Sequence, residues 1–194
     1  MTSTRLFVGL SALCALLVVP AAAEAQRRYP PTRYESWRDR DTRREATLAV
    51  GVFDYDVADD QTFPMAALRV DWRLTRYLRA EFSAAYATGD VEDGVGTDDD
   101  IRTSLGAATV GLRAELPWPY IRPYVGAAGG LFGRYDEEGG DRFVRPTHAF
   151  PVGVRIPLSD RLALRGEVRF RFDEHQGGGT AVNAEQSAGL SFVF

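Results

Sequence analysis

The sequence predicts an all-β fold: an eight-stranded antiparallel up-and-down barrel that crosses a membrane with its strands, preceded by a signal peptide. Three observations predict it. From residue 45 onward apolar residues recur with a period of two, as they do when side chains alternate across a strand. Short connections alternate with long Gly- and Asp-rich ones, the spacing of a membrane barrel with short turns on one side and loops on the other. The chain also stops on an aromatic strand, in which Ala188, Leu190, Phe192 and Phe194 share one face and Ser187, Gly189 and Ser191 the other.

Residues 1–25 read as a secretory signal. Arg5 supplies the charged start, 6–19 the apolar run, and Ala23, Glu24 and Ala25 a small-x-small cleavage site before Gln26. A retained anchor fits less well, because the run is short and ends at Pro20. A lipoprotein signal fits poorly too, because Leu13 stands before Cys14. Cys14 is the single cysteine and lies inside this segment, so the mature chain has no thiol to pair or to ligate metal. Residues 26–44, rich in Arg, Asp, Pro and Tyr without apolar period, form a flexible periplasmic lead-in. Residues 45–194 make the barrel.

The predicted strands are 46–53, 64–74, 77–88, 101–116, 120–134, 145–158, 162–172 and 181–194. Leu48, Val50 and Val52 mark the apolar face of the first, Leu68, Val70 and Trp72 of the second, and Leu78, Phe82 and Tyr86 of the third. In the fourth, Val110, Leu112 and Leu116 alternate cleanly, but 103–109 does not, which allows a bulge. The fifth sets Ile121, Val125 and Leu131 against a Gly-rich face. His148, Phe150, Val152, Val154, Ile156 and Leu158 share a face of the sixth, and Leu164, Val168, Phe170 and Phe172 of the seventh. Tight turns fall at 74–77, 117–120 and 159–161, and long loops at 54–63, 89–100, 135–143 and 173–180. Both termini then lie on the periplasmic side.

The apolar faces carry no charge in strands two, three, four and seven, as lipid contact requires. Trp72, Tyr77, Trp118, Tyr120, Phe192 and Phe194 gather near the short turns as an aromatic girdle. The opposite faces carry both signs in near register: Arg69, Asp71, Arg79, Glu81, Arg113, Glu115, Arg165, Glu167 and Arg169. An eight-stranded barrel is only wide enough for side chains to fill, so these charges are expected to interlock as a salt-bridge ladder in the lumen. Every one of the 23 basic residues is Arg, whose planar fork suits bidentate pairing with carboxylates. The net charge of −4 disfavours nucleic acid as a partner.

Residues 122–130 (RPYVGAAGG), 164–169 (LRGEVR) and the terminal GLSFVF resemble the small outer-membrane β-barrels related to OmpA and OmpX. The resemblance covers 45–194 and implies residence in the outer membrane of a Gram-negative-type bacterium, contact with outer-membrane lipid and lipopolysaccharide, and a monomeric barrel. It also implies that Leu190, Phe192 and Phe194 are read by the barrel-assembly machinery. The peptidoglycan-binding domain of OmpA has no counterpart in this sequence.

Small barrels that deacylate lipid A resemble one another in setting a Ser two residues from a His on one outer face. Here Phe150 takes that place beside His148, and His175 has no Ser within two residues, so no enzyme is expected and no cofactor or metal is implied. The stretches 89–100 and 135–141 are acidic (Asp90, Glu92, Asp93, Asp98–Asp100, Asp136, Glu137, Glu138, Asp141) and read as solvated loops, with a diffuse calcium or magnesium site as the alternative. Tyr55, Phe63 and Tyr135 are the aromatic residues at loop margins. The expected function is a structural or surface-interaction barrel; the alternative is a narrow porin-like channel gated by the luminal Arg/Glu network.

Overall fold

The computed structural model describes residues 44–55, 61–91, 101–136, 142–174 and 180–194. Residues 1–43, on which the expected signal and lead-in fall, and residues 56–60, 92–100, 137–141 and 175–179, with His175, lie outside the described residues. Eight strands form one closed barrel in sequence order: β1 (Arg44–Tyr55), β2 (Gln61–Arg73), β3 (Leu78–Val91), β4 (Ile101–Glu115), β5 (Arg122–Asp136), β6 (Arg142–Pro157), β7 (Leu162–Glu174) and β8 (Thr180–Val193). All neighbours are antiparallel, and β8 pairs with β1, as in Leu48↔Leu190 and Ala46↔Phe192. Reciprocal backbone bonds of 2.9 Å between Arg44 and Phe194 finish the seam. Closure leaves no unpaired strand edge.

Two of the short turns use the same device. Leu74 and Thr75 donate backbone N–H groups to the Leu78 carbonyl, and Thr75 Oγ1 accepts from the N–H groups of Tyr77 and Leu78. Leu158 and Ser159 donate likewise to the Leu162 carbonyl, and Ser159 Oγ accepts from Arg161 and Leu162. A hydroxyl at this place satisfies turn N–H groups that no strand partner reaches. The β4–β5 turn instead carries Pro117 and Pro119, with Trp118 N–H donating to the Leu116 carbonyl at 2.8 Å. Arg44 and Phe194 lie at this same short-turn end.

The strands run further toward the long loops than the sequence pattern suggested. β2 begins at Gln61 and β3 reaches Val91, so residues read as loop are paired in the ladder. Asp136, read as part of an acidic loop, is a buried strand residue that accepts from Thr103 Oγ1 at 2.7 Å and Arg134 Nε at 2.8 Å. No bulge interrupts β4: its ladder with β3 is unbroken from Leu78↔Ala114 to Val91↔Ile101. Alternation fails over 103–109 because Leu105 and Ala107, on the inward face, are themselves apolar. The β5–β6 ladder does lapse, between Val125↔Val152 and Ala128↔Ala149, where Pro151 has no N–H to donate. It resumes in the same register, so the faces are not exchanged.

The barrel is apolar outside and polar inside. Leu48, Val50, Val110, Leu112, Val125, Leu131 and Val152 are among the exposed residues, and Val110 shows 64% of its surface. Trp72, Tyr77, Trp118, Tyr120, Phe192 and Phe194 are all exposed at the short-turn end. Arg69, Asp71, Arg113, Arg165, Arg169, Arg171 and Glu185 are buried. A water-soluble barrel would have the reverse arrangement.

Candidate functional site

The charged interior is the candidate site. All nine residues that the alternation assigned to it are buried and face one another: Arg69, Asp71, Arg79, Glu81, Arg113, Glu115, Arg165, Glu167 and Arg169. Some pair along the wall, Arg79 with Glu115 at 3.1 Å and Arg113 with Glu81 at 3.2 Å between neighbouring strands and Arg169 with Glu167 at 2.9 Å within β7. Register neighbours there often carry the same sign, as in Asp71↔Glu81, Arg79↔Arg113 and Arg155↔Arg165, which is unfavourable by itself. Other pairs cross the lumen to a strand that is not a neighbour, as Arg165–Asp71 and Arg69–Glu167 do. Alternation assigns a side chain to the lumen but does not say which far wall it meets.

Arg165 of β7 holds Asp71 of β2 at 3.1 Å and also touches Glu81 of β3 and its own neighbour Glu167. Arg113 of β4 bridges Asp71 at 3.3 Å and Glu81 at 3.2 Å, so the two adjacent carboxylates are separated by guanidinium groups from opposite sides. Glu167 is the hub. It contacts Arg69 at 3.2 Å, Arg169 at 2.9 Å and Arg165, and accepts from Tyr124 Oη at 2.7 Å. Arg169 also touches Glu81 and donates to Thr109 Oγ1 at 3.2 Å. Nearer the short turns, Arg79 joins Glu45 at 3.3 Å to Glu115 at 3.1 Å, and Arg155 Nε meets both Glu45 oxygens.

Several members were not singled out from the sequence. Glu45 and Arg155 close the short-turn end, while Arg171 and Glu185 pair above the hub. Their signal was present, since each falls on the inward parity of its strand. Tyr124 is the other. Its hydroxyl accepts from Arg165 Nε at 2.8 Å, and its ring lies under Arg113, 4.3 Å from the guanidinium carbon. Gly153 makes room for it, because a Cβ there would overlap the Tyr124 ring.

Above the ionic stratum, on the β1–β5 side, the inward face turns apolar. Phe53, Tyr55, Phe63, Met65, Leu105 and Phe132 are buried, with Phe53 stacked on Phe132 at 5.8 Å. Tyr55 and Phe63, at the loop margins, therefore turn into the lumen, and Tyr135 alone of the three is exposed. The cavity beside this layer, lined by Phe53, Met65, Leu105 and Phe132 among others, measures about 10 Å³, the space of one water. On the β6–β8 side, Thr147, Arg171, Asp173, Asn183 and Glu185 form a buried polar strip, with Asn183 Nδ2 donating to Asp173 Oδ2 at 2.8 Å.

His148 stands on the outer face, opposite Gly129 and Phe172 in register and two residues from Phe150. Among the described residues no group of His, Cys, Asp and Glu has the geometry of a metal site. Leu190, Phe192 and Phe194 lie on the outer face of the closing strand, and Phe194 shows 66% of its surface.

No protein-family model matches the chain, and no curated relative matches it. Solved structures do. It is similar to Neisserial surface protein A, with a TM-score of 0.62 at 14% identity over 79% of this chain and 97% of that one. It is similar to the outer membrane protein OprG of Pseudomonas aeruginosa, with a TM-score of 0.53 at 12% identity over 80% and 97%. A third likeness is to Ail, the attachment invasion locus protein of Yersinia pestis, with a TM-score of 0.52 at 12% identity over 79% and 99%. The chain has the fold of the small eight-stranded outer-membrane β-barrels, the group its terminal motif resembles.

Proposed function

We propose that this chain is an integral outer-membrane barrel with a structural or surface-interaction role, its lumen closed by an ionic and aromatic plug. The observation that carries this reading is the cross-lumen mesh centred on Glu167, with the Phe53–Phe132 layer above it. Guanidinium and carboxylate groups bonded to one another across the bore occupy the cross-section that ions would need. The reading places both termini in the periplasm, with export directed by residues 1–25 and assembly by Leu190, Phe192 and Phe194 on the exposed seam.

Outside the plug, function falls to the outer wall and the loops. Ail is known in complex with a heparin analogue, sucrose octasulfate. The acidic stretches 92–100 and 137–141 of this chain would repel such a soluble polyanion, so the partner of these loops is a neutral or cationic surface group. A narrow channel is the second reading, favoured by the polar strip on the β6–β8 side. There Arg171 Nη1 and Nη2, Thr147 Oγ1 and Asp173 Oδ1 are buried with no hydrogen-bond partner among the described residues. Conductance in planar bilayers separates the two. The plug reading expects no steady openings from purified folded protein, and reproducible unitary currents would replace it with the channel.

A further inference from the structure

The outer wall is not uniform. One register row across four strands reads Tyr86↔Gly106↔Gly133↔Val144, so two glycines lie side by side between a tyrosine and a valine. A side chain has no other reason to be missing at Gly106, where an added Cβ would meet nothing within 4 Å. The result is a groove of about 440 Å³ on the outer surface near the long-loop end, within the ~300–1,000 Å³ typical of small-molecule sites. The next row toward the loops reads Thr88↔Ser104↔Tyr135↔Arg142 and is polar. Tyr86 and Ser104 share a hydroxyl bond of 3.0 Å, and Arg142 donates to Tyr135 Oη at 3.2 Å while lying 4.4 Å from that ring's centroid. Among the described residues Arg142 makes no ion pair, and Asp90 faces Arg102 one row further out.

From this we infer that the groove holds one acyl chain of a phosphorylated, multiply acylated lipid of the outer leaflet, with the phosphate on Arg142. The inference rests on the membrane reading above. The apolar floor runs toward the middle of the wall, through Ala108 and Leu131 in the row beneath, and the exposed Arg142 stands at the end where lipid headgroups would lie, while Arg134, which also lines the groove, is held by Asp136 at 2.8 Å. Charge complementarity selects the occupant: an apolar chain ending in an anion fits both ends of the groove, and a neutral lipid fits only one. Tyr135 fixes the Arg142 fork by ring contact and hydrogen bond, leaving its remaining N–H groups for phosphate oxygens.

Native mass spectrometry of the mature chain in neutral detergent, titrated with bis-phosphorylated lipid A, tests the inference. Each variant is first shown to be folded by its heat-modifiable band on an unboiled gel. Wild type is expected to retain one lipid. Gly106→Leu, which fills the groove, and Arg142→Gln, which removes the cation, are each expected to weaken binding at least tenfold. Gly129→Leu, also on the outer face with no atom closer than 4.0 Å to its added Cβ, should leave binding unchanged. With dephosphorylated lipid A, Arg142→Gln should have no further effect, and millimolar inorganic phosphate should not displace the lipid. Unchanged binding in Gly106→Leu and Arg142→Gln, or an equal loss in Gly129→Leu, overturns the groove while leaving the membrane reading intact. A wild-type chain that folds in plain buffer overturns that reading itself.

Discussion

Glu167→Gln keeps the shape of the hub side chain and removes its charge. Its three guanidinium partners are not equally dependent on it. Arg165 keeps Asp71 and Glu81, and Arg169 keeps Glu81 and Thr109. Arg69 keeps only Ser187 at 3.0 Å, with Glu185 at the 4.0 Å limit, and its side chain is 1% exposed. The substitution therefore strands one buried cation, a loss of about 3–5 kcal/mol. Arg169→Gln is milder. Glu81 keeps Arg113 and Arg165, Glu167 keeps Arg69 and Arg165, and what is lost is charge-assisted hydrogen bonding, about 1–3 kcal/mol. Adding Arg69→Met to Glu167→Gln removes the stranded cation, so the double variant should be more stable than the two losses added. Urea titration of the barrel in phosphatidylcholine vesicles, followed by tryptophan fluorescence, reads wild type and the four variants, Arg69→Met alone included. A Glu167→Gln loss below about 1 kcal/mol, the worth of a solvated surface pair, would mean that water solvates the mesh and that it plugs nothing.

Other outcomes follow from the same arrangement. Val168→Arg puts a charge on the outer face between Val152 and Gln186 and should cost about 2–4 kcal/mol in vesicles; a smaller loss than for its inward neighbour Arg169→Gln would reverse the faces. Phe132→Ala opens the inner aromatic layer, where Phe132 meets Phe53, Tyr55 and Phe143, and should lower stability by about 3–5 kcal/mol in the same titration. Deleting Phe194 should reduce the amount of barrel reaching the cell surface, measured by antibody binding to whole cells, while barely moving the urea midpoint of refolded protein. Normal surface levels would remove its role as an assembly signal.

Period-two alternation in the sequence carried the strand number, the facing of the side chains in the regularly alternating stretches and the nine buried charges, because parity along a strand survives small errors at its ends. It carried less about height and depth. Tyr55 and Phe63 sit at strand ends next to Asp-rich stretches, and only the ladder that continues through them shows that they turn inward. The inner aromatic layer was hidden for a related reason: with Leu105 apolar on the inward face, alternation over 103–109 fades just where the lumen becomes greasy. The pairing of the charges was hidden more deeply. Asp71 and Arg165 are 94 residues apart and on strands that do not touch, so only closure of the barrel brings them to 3.1 Å. The Gly106 and Gly133 groove depends in the same way on register between strands.

The central claim, a barrel turned apolar side out whose surface requires lipid, is tested most directly by where the chain folds. Urea-denatured mature protein is diluted in parallel into plain buffer and into phosphatidylcholine vesicles, and its strand content and heat-modifiable gel band are followed. The outward Leu48, Val50, Val110 and Leu112 and the buried arginine mesh predict folding in vesicles and aggregation in buffer. A monomeric, strand-rich protein in buffer alone would contradict the account.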